Sequence, residues 1–172
     1  MATRWVAGLG GLALLLGVPM VAHAQKGFLS DEAKLSVAVT PTAGASGTTT
    51  INGTTLDMAG WDGVLIVVPF GAIVGTAVTS IKAQQGLVSD CSDCADLLGS
   101  SQTVVDTADD TTFYIDLRRP LERYVRVVVL RATAAATVGG ATYIQYKGRA
   151  KPTLQGVGVS GEKHLGPAEG TP

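Results

Sequence analysis

The residues of this chain best spaced for chemistry are Cys91 and Cys94, in the run Asp90-Cys91-Ser92-Asp93-Cys94-Ala95-Asp96. A redox dithiol needs a helix N-terminus after a strand to lower a thiol pKa; this pair sits in a polar loop of a β-rich chain. A zinc site needs four ligands. There is no second cysteine pair, and the two histidines, His23 and His164, lie near the ends. A local disulfide closing a small loop fits an exported product, and free thiols fit a cytosolic one. Asp90, Asp93 and Asp96 repeat every third residue, but not with the spacing of a calcium loop. A solvated acidic loop accounts for them, and for Asp106, Asp109 and Asp110. With no histidine in the body, a Ser-His-Asp arrangement is excluded there. Spacing leaves a glycosidase carboxylate pair open, yet aromatic residues are only 5%. Gly71-Ala72-Ile73-Val74-Gly75 lacks the Lys-Ser/Thr of a phosphate loop. No catalytic, cofactor-binding or metal-ligating residue is therefore predicted, and the expectation is a non-enzyme without cofactor or small-molecule substrate.

The densest charged stretch is Arg118-Arg119-Pro120-Leu121-Glu122-Arg123-Tyr124-Val125-Arg126. As a nucleic-acid site it would be a lone basic patch on a chain with 13 Lys+Arg against 14 Asp+Glu, so nucleic acid is not the expected partner. Arginines at a strand edge can instead pair with carboxylates of a neighbouring subunit in bidentate geometry. Arg118, Arg119, Arg123, Tyr124 and Arg126 are thus candidates for a partner interface. Charges that keep an edge strand from aggregating are the plainer reading.

The elements that must carry these residues read as strands. Val, Ile and Thr dominate from Lys34 onward, punctuated by Gly, Asp and Asn. Leu35–Thr40 alternates as a half-buried strand does. Asn52-Gly53 is a tight-turn signal, or a bulge in one longer strand. Gly60–Gly63 turns into Val64–Val68, which is apolar on both faces and suits the middle of a sheet; Pro69 and Gly71 are expected to close it. Ala77–Ala83 alternates, with Val78 and Ile81 as anchors. Short strands follow at 103–106 and 113–117, and Pro120 marks an edge or a break. In 123–131, Val125, Val127 and Val129 face one way, and Tyr124, Arg126, Val128 and Leu130 the other. Gly139-Gly140 turns into a last strand, 141–147, with Tyr143 and Tyr146 on opposite faces. No convincing helical period is found. The expected fold is all-β: an antiparallel sandwich or jelly-roll-like barrel of about seven to eight strands, with extended N- and C-terminal segments.

The chain has 172 residues and a mean hydropathy of +0.30, with 46% hydrophobic and 16% charged residues. That suits one domain with a real core. Residues 1–24 form a signal-like apolar leader or N-terminal arm, 25–150 the β-domain, and 151–172 a Gly/Pro-rich tail ordered only by a partner. Arg4, the apolar run Val6–Ala22 and Ala22-His23-Ala24 have the layout of a secretory signal cleaved after Ala24.

Several strings resemble a family of small structural proteins of tailed bacteriophages. They are Asp57-Met58-Ala59-Gly60-Trp61-Asp62-Gly63-Val64, Lys82-Ala83-Gln84-Gln85, Asp96-Leu97-Leu98-Gly99-Ser100, Arg119-Pro120-Leu121-Glu122-Arg123-Tyr124-Val125-Arg126, Arg131-Ala132-Thr133 and Ile144-Gln145-Tyr146. The likeness runs over residues 29–172 and is most specific around Arg123-Tyr124-Val125-Arg126. It implies a head decoration or cement protein on the capsid surface, made in the host cytoplasm, with the major capsid protein as partner and a homo-oligomer, a trimer by preference. The leader departs from that pattern and points to the alternative, an exported bacterial β-sandwich for adhesion or surface assembly, secreted or at the cell surface.

Overall fold

The structure, a computed structural model, describes residues 27–164. Among the described residues a single helical turn, α1 (Leu29–Glu32), precedes eleven strand segments: β1 (Lys34–Val39), β2 (Ile51–Asn52), β3 (Leu56–Asp57), β4 (Gly63–Ile73), β5 (Val78–Gly86), β6 (Ala95–Asp96), β7 (Gln102–Val104), β8 (Thr112–Arg118), β9 (Tyr124–Ala132), β10 (Ala136–Val138) and β11 (Ala141–Tyr146). Four residues are too few to leave a helical period in the sequence, so α1 has no signature there.

The segments build two antiparallel sheets. In the first, β1, β11, β4 and β8 lie side by side, and β10 continues the place of β11 along the far half of β4. In the second, β2 and β3 share one flank of β9, while β6 and β7 share one flank of β5. Taking β2/β3, β6/β7 and β10/β11 each as one interrupted strand gives eight strands in two four-stranded sheets, the strand count and pairing of a jelly roll. The chain is an antiparallel β-sandwich, the all-β class expected from its alternation.

The core lies between the sheets. Val64, Ile66 and Val68 of β4 are fully buried, facing Val125, Val127 and Val129 of β9 and Ile81 and Ala83 of β5. Each such side chain contributes about 1.5–3 kcal/mol of burial. Phe70 and Phe113 meet edge to face at 5.7 Å. Two polar side chains of β11 cross the core. The Tyr143 hydroxyl accepts from the Val127 amide at 2.9 Å and donates to the Thr54 carbonyl at 2.9 Å. The Gln145 Nε2 donates to the Asp57 carbonyl at 2.8 Å.

Several local expectations change. Pro69 and Gly71 do not close β4, which runs to Ile73. The Pro69 position would aim an amide toward β10 and β11 where the hairpin register breaks, so no ladder bond is lost, and its carbonyl accepts from Gly139 at 2.8 Å. Asn52-Gly53 makes no hairpin: β2 and β3 both pair with β9, so this is an interruption of one strand. A Cβ on Gly53 would stand 2.7 Å from Val127 Cγ1, which explains the glycine. Val78 faces outward at 53% exposure, because Thr79, Ile81 and Ala83 hold the inward register. The start of the tail is held by the chain itself: Gly156 donates to the Leu35 carbonyl, and Gln155 Nε2 to those of Ser30 and Ala33. Residues 1–24, with the leader and its cleavage point, lie outside the described residues, as do 165–172.

Candidate interaction surface

The loops at one end of the sandwich gather part of the arginine-rich stretch. Arg119 follows β8 with a φ of +54° and donates its amide to Asp62 at 2.7 Å, so the chain turns sharply before Pro120. Arg123 precedes β9. Between them Leu121 projects at 92% exposure. Across from them, the Arg149 amide donates to Gly60 at 3.0 Å, and Trp61 packs on Gly148, where a Cβ would meet the indole at 2.7 Å. Arg119, Arg123, Arg149, Trp61, Leu87 and Leu121 line a shallow depression of about 740 Å³.

Its charges are partly committed within the chain. Arg123 grips Asp57 in a bidentate pair, Nε to Oδ1 at 3.0 Å and Nη2 to Oδ2 at 2.7 Å. Those hydrogen bonds hold the Asp57 carboxyl below its usual range, against the opposing effect of burial. The Arg123 guanidinium also stands 5.2 Å over the Tyr124 ring. Arg119 reaches Asp62 only at 3.9 Å.

The five candidate arginine and tyrosine positions therefore separate. Arg119 and Arg123 share the depression. Arg118 lies outside it, exposed at the end of β8 on the outer face of the first sheet. Tyr124 and Arg126 point from the outer face of the second sheet, where Arg126 Nε donates to Gln84 Oε1 at 2.7 Å. Gln84 and Lys82 both donate to Asp96, at 2.7 Å each, and lower its pKa, Lys82 most. Sequence reasoning missed Arg149 and Leu87, which no spacing connects to residues 118–126.

Cys91 and Cys94 are joined as a disulfide. Cys91 is buried, so the loop is not wholly exposed, and its φ of +61° tightens the turn. The Asp93 carboxylate accepts from the Leu87 and Val88 amides at 2.8 and 3.2 Å. This folded-back loop presents Leu87 at the rim of the depression. Asp106 and Asp109 likewise cap the Thr76 and Ile73 amides, at 2.9 and 2.6 Å. The acidic clusters thus staple turns, and among the described residues no three His, Cys, Asp or Glu side chains gather as metal ligands. Among the same residues no helix is long and apolar enough to cross a membrane.

No protein-family model matches this chain, and no curated protein matches it. Among solved structures it is similar to the crystal structure of PirA at 17% identity and a TM-score of 0.32, over 67% of this chain and 94% of that one. That likeness is too slight to carry an argument about fold or function.

Proposed function

We propose that this chain is a virion structural protein, a decoration or cement module that stabilises a phage head through non-covalent contacts with the major capsid protein. The observation that carries the reading is the end of the sandwich where exposed Leu121 and Leu87 stand among Arg119, Arg123 and Arg149. Exposed aliphatic side chains ringed by arginine are the composition of a protein-binding patch. The family resemblance over residues 29–172 supports the same role. Jelly rolls serve in capsids and in many other settings, so the surface bears more weight than the fold. In a shell, many modest contacts repeated by symmetry add up to strong resistance.

The test is co-sedimentation of the purified protein with capsid shells that lack it, together with the temperature at which those shells break open. Binding and a higher disruption temperature are expected, with Leu121→Asp weakening both. Shells that neither bind the protein nor gain stability would sink the reading. One observation favours the second reading, export for adhesion: the Cys91–Cys94 disulfide, which persists in oxidising compartments. An intact mass matching a chain that begins at Gln25 would select it.

A further inference from the structure

Each sheet has two edges, and three of the four are blunted. The edge of β1 is covered by its own C-terminal segment, with the Leu35 amide donating to Gln155 Oε1 at 2.8 Å and the Leu35 carbonyl accepting from Gly156 at 2.9 Å. The β2/β3 edge is broken into two-residue pieces, and so is β6; β7 has only three residues. The fourth edge, β8, is a continuous seven-residue strand. An open edge of that length is a template for a further strand.

The orientation of its free groups follows from its pairing. The Arg119 amide and the Thr111 carbonyl bond toward β4. Odd-numbered positions of β8 therefore serve β4, and even-numbered positions point away from the sheet. The outward Tyr114 carbonyl is already occupied, accepting from Gln102 Nε2 at 2.8 Å. The outward amides and carbonyls of Asp116 and Arg118 have no partner among the described residues. Both side chains are exposed on the same outer face. The Asp116 carboxylate is held in place through one oxygen by the Tyr146 hydroxyl at 2.6 Å, leaving the other oxygen open.

We propose that β8 is a self-association edge, on which a second copy of this chain pairs antiparallel about a two-fold axis at Leu117. Charge complementarity selects both the occupant and the register. With the axis at Leu117, Asp116 stands opposite Arg118 of the second copy, and the pair occurs twice by symmetry. An axis at Asp116 opposes two carboxylates. An axis at Ile115 needs the Tyr114 carbonyl that Gln102 holds. A groove of about 440 Å³ separates Tyr114–Leu117 of β8 from the 97–102 loop. In this register residues 116–118 of the two copies pair, and the first sheets meet through that short ladder, which ends where Arg119 turns away. This goes beyond the capsid reading and does not depend on it.

Sedimentation of the full chain over a concentration series tests the proposal. The wild type is expected to pass from monomer to dimer. Asp116→Arg and Arg118→Asp each oppose like charges across the axis, and each is expected to weaken dimerisation by about tenfold or more. An equimolar mixture of the two restores the dimer, because every facing pair is then attractive. Asp116→Asn and Arg118→Gln, which remove the charge without reversing it, weaken it less, and circular dichroism confirms that each variant is folded. A wild type that stays monomeric, a trimer indifferent to these charges, or a mixture that fails to recover the dimer overturns the proposal.

Discussion

Arg131 is 4% exposed, a cation placed inside the protein with no carboxylate paired to it among the described residues. Its guanidinium donates instead to main-chain carbonyls, those of Thr49 at 2.9 Å, Ala45 at 2.7 Å and Ala136 at 3.0 Å. These bonds tie the loop between β1 and β2 to β9 and β10. Burial lowers the Arg131 pKa, yet an arginine stays charged throughout the working range. Its planar fork can serve several acceptors at once. Arg131→Met is expected to cost about 2–4 kcal/mol, because carbonyls buried with it lose their donors. Arg131→Lys should recover only part of that. Denaturant unfolding of the three proteins checks both points, and a methionine variant as stable as the wild type would show that the loop closes without the cation.

At the level of the strands, Gly63, Tyr146 and Asp116 act together. Gly63 of β4 lies between Tyr146 of β11 and Arg118 of β8. A Cβ on Gly63 would stand 2.3 Å from the Tyr146 ring. The glycine lets the ring lie flat across β4 and reach Asp116. Burial, and then the hydrogen bond to Asp116, push the Tyr146 pKa up to about 12. A phenol raised in the folded state contributes stability that is fully present below its ordinary value of 10.0 and is lost as pH rises through about 12. Absorbance titration should therefore show a tyrosine ionising near 12 that disappears in Tyr146→Phe. In Gly63→Ala the displaced ring should titrate closer to the ordinary value. If the transition lost in Tyr146→Phe lies instead at the ordinary tyrosine value, the contact with Asp116 is contradicted.

For the whole molecule, acid is the more informative direction. The formal charge is -1 at pH 7, so neither sign dominates the surface. Asp57 joins β3 to the residue before β9, and Arg123 lowers its pKa from 3.8. A carboxyl lowered in the folded state contributes stability that is present above its unfolded value and lost as pH falls through the folded one. With the Asp57 side chain 45% exposed, solvent screens the pair and the contribution is small. Asp57→Asn should flatten the acid limb of the stability profile below about pH 4, while leaving unchanged the alkaline limb, to which the raised phenols of Tyr143 and Tyr146 both contribute. Melting curves across that range, at low and high salt, measure it. An acid limb identical to that of the wild type would mean that the pair is worth nothing to the fold.

Alternation alone was enough to read the sheet class and most strands, because burial on one face imposes a two-residue period wherever a sandwich forms. Val125, Val127 and Val129 faced inward as their spacing required, and Arg131 shares their parity, a signal that its charge obscured. The signals that misled were local ones whose outcome depends on distant neighbours. Whether Pro69 ends a strand depends on whether its missing amide faces a partner, and whether Asn52-Gly53 turns depends on β9 running past both halves. The surface was legible only as a cluster of arginines along the chain. Pairing sent Arg118 and Arg126 to opposite outer faces, folded Asp57 into the grip of Arg123, and brought Arg149 and Leu87 alongside Arg119. Composition and period are written residue by residue; proximity between segments far apart in the chain comes from the order in which strands pair, which only the folded chain determines.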